Sequence, residues 1–270
     1  MSTLEEFRKE TRDWLEENCP QSMRTPMGDN EEPWGGKNAS WPNPDSKVWL
    51  DNMASRGWTA PTWPKAYGGG GLGKDEAKIL AQELRAIKAR PALMSFGIWM
   101  LGPALLEFAS EEQKLKYLPQ IVRGEIRWCQ GYSEPGAGSD LAGLQTSADD
   151  KGDHYLVNGQ KIWTSGAHFS DYGILVVRTD PTVAKHKGLT YFFFDMKSPG
   201  VDVKPIKQIS GGANFNEVYF TDVRIPDSQR LGAVGQGWQV ALTTLMNERA
   251  AIGGGGMGVG FDRIFALAKR

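Results

Sequence analysis

The stretch Trp128-Cys129-Gln130-Gly131-Tyr132-Ser133-Glu134-Pro135-Gly136-Ala137-Gly138-Ser139-Asp140 gathers small residues, hydroxyls and backbone N–H groups into one turn. Pro135 with Gly136 and Gly138 prevents a regular helix or strand there. The two glycines let a ligand approach the backbone closely and make positive φ available. Successive amides in such a turn can form an anion-binding concavity. Ser133 and Ser139 add hydroxyls that donate or accept. Asp140 is placed to cap the following segment or to hold the turn through its own backbone. This chemistry suits the phosphates of a nucleotide and the polar edge of a flat ring. An ordinary glycine-rich surface turn has the same composition, so the stretch alone does not decide.

A second segment, Asn158-Gly159-Gln160-Lys161-Ile162-Trp163-Thr164-Ser165-Gly166-Ala167, follows closely. Asn158-Gly159 after the apolar run Tyr155-Leu156-Val157 predicts a hairpin turn. Strand alternation then places Trp163 and Ser165 on one face. A large aromatic beside a hydroxyl suits a flat heteroaromatic ring, one supplying contact area and the other a hydrogen bond. The plainer alternative is a core tryptophan beside an exposed serine. His168, just beyond, reads as a satisfied histidine rather than a catalytic one.

These segments need elements to hold them. Residues 3–18 predict an amphipathic helix, with Leu4, Phe7, Thr11, Trp14 and Leu15 on one stripe. Pro20 to Pro44 reads as an irregular loop. A helix over 45–56 follows, with Val48, Trp49, Leu50 and Met53 as its apolar residues. Trp58 to Gly73 is a Pro/Gly-rich connection. A third helix spans 75–89 and ends before Pro91. Phe96 to Phe108 is apolar enough for burial. Ser110-Glu111-Glu112-Gln113 is a capping box ahead of Leu115, Leu118, Ile121 and Val122. The pattern then turns to strands at Ile174–Val177, Leu189–Phe194, Val201–Val203 and Glu217–Phe220. No useful helix separates them, which argues against a parallel doubly wound sheet. From Gly237 the helical pattern returns. The fold class is therefore α+β: a helical N-terminal domain over 1–125, an antiparallel, barrel-like β domain over 126–235, and over 236–270 the first helix of a C-terminal helical domain. Gly68, Gly70 and Gly73 fit G-x-G-x-x-G, as do Gly253, Gly255 and Gly258, but neither set follows a strand.

Composition narrows the function classes. The chain has 270 residues and a formal net charge of −1, with no dense basic stripe. Nucleic acid is therefore not expected as the main partner. No apolar run is long enough to span a bilayer. The N-terminus, charged from Glu5 on, resembles neither a secretory signal nor a transit peptide, so a cytoplasmic location is expected. Cys19 and Cys129 lack metal spacing, and with three histidines no metal site is expected.

The order helical–β–helical, with both motifs in its β part, resembles the acyl-CoA dehydrogenase family over the whole chain. Ser133 to Asp140 matches that family's signature, and Asn216 to Pro226 with Leu231-Gly232 looks like the end of its β domain. The resemblance implies an FAD flavoprotein that oxidises an acyl-CoA thioester to the trans-2-enoyl-CoA. It places Gln130, Tyr132 and Ser133 along the flavin, Gly138 and Ser139 at its phosphates or the substrate, and Trp163, Thr164 and Ser165 on a second flavin-contacting strand. Serines at 133 and 165 stand where threonine is frequent and keep the hydroxyl. Glu248, before Arg249, matches the position where some members carry the catalytic base; most carry it later, beyond residue 270. A solvated glutamate is the alternative. Arg249 matches a substrate-side arginine, and Met246 departs from a polar, substrate-binding position. The family also implies an electron-transfer flavoprotein as acceptor and a homo- or hetero-oligomer, dimer or tetramer. It implies that the missing helical bundle completes the site, so that this chain alone is inactive and exposes apolar surface from Gly237 on. Rival readings are an acyl-CoA oxidase or flavin hydroxylase, and a non-catalytic partner subunit.

Overall fold

The computed structural model describes residues 3–28, 30–254 and 261–269. Helix α1 (Leu4–Asn18) starts at Thr3, whose hydroxyl accepts from the Glu6 amide while the Glu6 carboxylate takes the Thr3 amide. This reciprocal cap satisfies two otherwise orphaned donors. Helix α2 (Asp45–Ser55) and helix α3 (Lys74–Ala86) follow. Their apolar faces meet around Leu15, Trp49, Met53, Trp58 and Leu80. The Glu83 carboxylate is buried on α3 and is neutralised by Arg8 at 2.5 Å and Arg12 at 2.8 Å from α1. Helix α4 (Gly102–Phe108) continues from one π-turn, Gly97–Leu101. Helix α5 (Glu111–Val122) begins with the predicted capping box at Ser110.

The middle of the chain forms one eight-stranded sheet. Its strands are β1 (Trp128–Gly131), β2 (Ser147–Asp150), β3 (His154–Lys161), β4 (Tyr172–Arg178), β5 (Leu189–Asp195), β6 (Val201–Ile206), β7 (Phe215–Pro226) and β8 (Arg230–Leu231). The order is β6-β7-β3-β2-β4-β5-β8, with β1 on β4. Most pairings are antiparallel, as expected, but β1 runs parallel to β4 and β2 touches β4 in parallel, so the sheet is mixed. The four residues that opened the first motif are thus strand, not turn.

Strands β4 and β5 read as unbroken apolar runs because both faces are buried. Ile174, Val176, Tyr191 and Phe193 face the helical layer with Leu105, Tyr117, Leu118 and Ile121. Leu175, Val177, Phe192 and Phe194 face the other way, into a core with Val157, Val218, Phe220 and Val223. Helix α6 (Gly237–Gly254) lies against the helical face of the sheet through Val240 and Ala241. Helix α7 (Phe261–Ala268) follows. Leu242, Met246, Ile264, Phe265 and Leu267 are exposed, as the sequence suggested for this end of the chain. The Gly255 and Gly258 readings lie outside the described residues. Among the described residues no helix is long and apolar enough to cross a membrane, and no group of three or more His, Cys, Asp or Glu is placed to hold a metal ion.

The predicted hairpin at Asn158-Gly159 is absent. Strand β3 runs straight through it, and its pairing with β7 shifts register between Val157 and Gly159. Gly159 has φ of 148°, and a Cβ there would meet Thr146 Oγ1 at 2.6 Å. Asn158 exchanges hydrogen bonds with Asp222 across the strands. The dipeptide therefore marks a β-bulge, the other use of glycine inside a strand. Gly159→Ala should lower the unfolding free energy by roughly 1–3 kcal/mol, read from the urea midpoint, while Gly152→Ala in open space should cost less because only its backbone conformation resists.

Candidate functional site

The two motif segments meet at the ends of β1 and β3. The Ile162 amide donates to the Ser133 carbonyl at 2.9 Å. Beneath this contact Lys161, fully buried, donates to Glu134 Oε1 at 2.8 Å and to the Tyr132 carbonyl at 3.0 Å. Glu134 also accepts from the Gln145 amide at 2.6 Å and the Thr146 amide at 2.9 Å. Reciprocal bonds of 3.0 Å between Glu134 and Ala137 close the turn itself. Burial pushes the Lys161 ammonium down to about 8 against the pull of Glu134. Burial raises the Glu134 carboxyl, but the Lys161 charge and the hydrogen bonds outweigh it and hold the group below its ordinary value. The sequence reading overlooked this pair. Its signal was two opposite charges, 27 residues apart, each set within an otherwise small or apolar motif.

Strand geometry ends at Lys161, so Trp163 is not a strand residue. It adopts φ of 61° and is 57 % exposed, edge-on to Phe215. Positive φ is uncommon for a bulky residue and needs support from its surroundings. Asn216, fully buried, supplies it. Asn216 and Thr164 exchange backbone hydrogen bonds of 3.0 Å each, and Asn216 Nδ2 donates to the Thr164 carbonyl at 2.8 Å. Asn216 Oδ1 engages His168 Nδ1 at 2.8 Å, which makes His168 a satisfied histidine as read. Thr164 is 1 % exposed and its backbone is taken by Asn216, while its Oγ1 is buried with no partner among the described residues. Trp163 is exposed and Ser165 half-buried, in a bend rather than in a strand, so strand alternation does not set their directions.

Two further expectations change. Gly136 and Gly138 are not among the glycines at positive φ, and a Cβ on either would meet nothing within 4 Å. They keep the turn open without requiring a left-handed backbone. The Asp140 carboxylate neither caps nor closes the turn; it pairs with Lys185 at 2.7 Å. Gly138 and Ser139 are exposed beside it.

Helix α6 approaches the same strand from the helical side. Gln130 Nε2 on β1 donates to Glu248 Oε2 at 3.3 Å. One helical turn earlier, Thr244 ends a buried chain of hydroxyls in which Tyr132 donates to Tyr191 at 3.2 Å and Tyr191 meets Thr244 at 3.2 Å. The Tyr132 ring hydroxyl is thus committed to the core, leaving its backbone as the part near the motif turn. Glu248 is half-buried; Met246 and Arg249 are exposed. The structure therefore joins Gln130 to Glu248 and Ser133 to the segment that carries Trp163 and Ser165, and leaves Met246 and Arg249 exposed on α6.

The donor set fits a flavin. Trp163 offers an open aromatic face, and the hydroxyls of Ser133 and Ser165, both half-buried, make no hydrogen bond within the described residues. Ser165 opens onto a cleft of about 750 Å³ that is also lined by Trp34, Phe96, Arg127 and Phe169.

Comparison with known proteins points the same way. The model of the acyl-CoA dehydrogenase N-terminal domain matches residues 2–125, and that of the acyl-CoA dehydrogenase middle domain matches residues 129–223. The chain is 39 % identical over 250 residues to the acyl-CoA dehydrogenase IpdE1 of Mycobacterium tuberculosis, covering 92 % of this chain and 64 % of that protein. It is 45 % identical over 203 residues to the acyl-CoA dehydrogenase FadE34 of the same organism, covering 75 % of this chain and 28 % of that one. Among solved structures, the Tcur3481-Tcur3483 steroid ACAD is similar with a TM-score of 0.69 at 35 % identity, over 91 % of this chain and 61 % of that one. The chain thus spans less than two thirds of each of these relatives.

Removing one partner of the Lys161–Glu134 pair strands a buried charge. Glu134→Gln and Lys161→Met should each cost about 3–5 kcal/mol in urea unfolding, and the double variant should recover much of the loss. The Glu134 contribution is complete above its unfolded value of 4.5 and is lost as pH falls through its lower folded value. The wild type should therefore lose stability in that acid range more steeply than the double variant.

Proposed function

We propose, from the premise that this chain belongs to the acyl-CoA dehydrogenase family and carries its N-terminal and middle domains, that it takes part in the FAD-dependent oxidation of an acyl-CoA thioester to the trans-2-enoyl-CoA. The observation that carries this reading is the 3.3 Å contact between Gln130 and Glu248. It brings a carboxylate on α6 to β1, whose Gln130, with Tyr132 and Ser133 just beyond the strand, lies along the proposed flavin.

The α-proton of a thioester is weakly acidic, so a positioned base must take it. Glu248 is that base in this reading, with Gln130 orienting its carboxylate. FAD, when bound, supplies the acceptor for the hydride that leaves the β-carbon. The Ser133 and Ser165 hydroxyls hold the ring edge, Trp163 covers one face, and Gly138 and Ser139 lie at the open turn for phosphates or substrate. Arg249 contacts the CoA side, and Met246, where a polar contact is missing, lies beside it. Thr164, held by Asn216, belongs to the same flavin-contacting segment in this reading. The proposed domain limits are 1–125, 126–235 and 236–270.

The exposed Leu242 and Met246 on α6 support an assembly in which another domain or subunit covers this face, either a homo-oligomer or a hetero-oligomer, dimer or tetramer. The paired name of the steroid ACAD neighbour makes a heteromer, with one subunit supplying parts of the site, a reading of equal standing. An electron-transfer flavoprotein is the proposed electron acceptor. The unpaired, buried Cys19 and Cys129 fit a reducing cytoplasm.

Glu248→Gln in the complete protein should keep its yellow flavin spectrum while turnover of the preferred acyl-CoA falls by about 10²–10⁴-fold. Full turnover in the variant would remove Glu248 from the role of base. Failure of the wild type to take up FAD would remove the whole reading.

A further inference from the structure

Arg127 stands where a ligand-binding cation would stand, and the site reading leaves it without a task. Its guanidinium packs over the Trp34 ring at 5.0 Å and the Phe169 ring at 5.3 Å. It makes no hydrogen bond among the described residues, although it carries five N–H donors. A Cβ on Gly166 would lie 3.3 Å from its Nη2, which sets the guanidinium beside the backbone that follows Ser165. The neighbouring Asp171 does not close it off. Asp171 Oδ2 accepts from the Arg127 amide at 2.8 Å and from the Lys37 amide at 3.0 Å, and no guanidinium hydrogen bond to it is formed. Burial pulls the guanidinium down from its ordinary value and the Asp171 charge supports it.

The surroundings define the ligand. The cleft of about 750 Å³ runs from Ser165 past Arg127 to Trp34, Met94 and Phe96. Trp34 and Phe169 flank the guanidinium and Met94 and Phe96 add apolar wall, while polar side chains such as Asn38, Asn214 and Lys197 make up a comparable share of the lining. One acidic residue, Glu32, also lines it, and it is exposed. An arginine stacked between rings keeps its fork in a fixed plane, the arrangement that suits planar two-point recognition of a carboxylate or phosphate. Desolvation by the rings strengthens such a contact relative to water.

We propose that Arg127 reads an oxyanion in the cleft that opens at Ser165, so that the ligand presents a carboxylate or phosphate on an apolar or planar arm. This deepens the functional reading and rests on it only for which molecule brings the oxyanion. Two sources share the chemistry: a second carboxylate at the far end of the acyl chain, and a phosphate of the cofactor.

The test uses the complete protein, its Arg127→Gln and Arg127→Lys variants, and Trp34→Phe as a reporter control. Adipate is titrated first, with no flavin or thioester present, while tryptophan fluorescence is followed. The wild type should show a saturable change that is largely lost in Arg127→Gln and in Trp34→Phe, and partly kept in Arg127→Lys. Adipoyl-CoA and hexanoyl-CoA, which differ by the terminal carboxylate, are then compared, as are FAD and riboflavin. A loss of at least tenfold in adipoyl-CoA affinity alone in Arg127→Gln supports the inference with the acyl chain as source. A comparable loss for FAD but not riboflavin supports it with the cofactor as source. If Arg127→Gln, folded by circular dichroism, leaves the adipate, adipoyl-CoA and FAD titrations all unchanged, the inference is overturned. A wild type that responds to adipate yet never binds FAD keeps the oxyanion site and removes the flavin reading instead.

Discussion

One buried ion pair holds the candidate site together. Lys161 reaches from the end of β3 to Glu134 in the glycine-rich turn and to the carbonyl of Tyr132 on the way. A lysine with no solvent exposure is costly unless its charge is matched and its donors are used. Glu134 supplies the match, and it is itself fixed by the amides of Gln145 and Thr146. The pair therefore ties three separate stretches of chain, the turn, the start of β2 and the end of β3, to one point. Ser133 directly precedes Glu134 in the chain, and its carbonyl accepts from Ile162, the residue after Lys161.

The helical layer meets this lock from the opposite direction. Tyr132, one residue before Ser133, carries the start of the hydroxyl chain that ends on Thr244. Helix α6 is thereby fastened to the sheet by polar contacts inside an apolar core. Polar groups in such a place fix register where apolar packing alone would allow sliding. Glu248 lies one turn further on, so its distance from Gln130 is set by the same anchor. Turn, bend and helix converge through bonds that are all internal to the described chain.

Much of this was legible in the sequence. The capping box at Ser110, the amphipathic stripe of α1, the apolar runs of β4 and β5, and the return to helix at Gly237 all carry strong local signals, because caps and periodicity act over a few residues. The two motif segments do meet, through the Ile162–Ser133 hydrogen bond. What escaped was set by long-range geometry. Asn158-Gly159 has hairpin chemistry, but its neighbour Thr146 and the partner strand use the glycine for a bulge. Thr164 carries a hydroxyl like its neighbours, yet Asn216, distant in sequence, draws it inward. Trp128 to Gly131 looked like the start of a turn because its pairing strand lies beyond the whole β2–β3 hairpin. Arg127 carried no motif at all; only its position between Trp34 and Phe169, from two different layers, gives it meaning.

The parallel alignment of β1 with β4 bears on how the molecule is assembled in time. Trp128 pairs with Tyr172, so the whole β2–β3 hairpin lies within the loop that this pairing closes. Contacts between sequence-distant strands form slowly, since loop-closure entropy is lost before they return any energy. The strand bearing Gln130 therefore depends on chain remote in sequence, beyond the whole β2–β3 hairpin, and the candidate site on closing that loop.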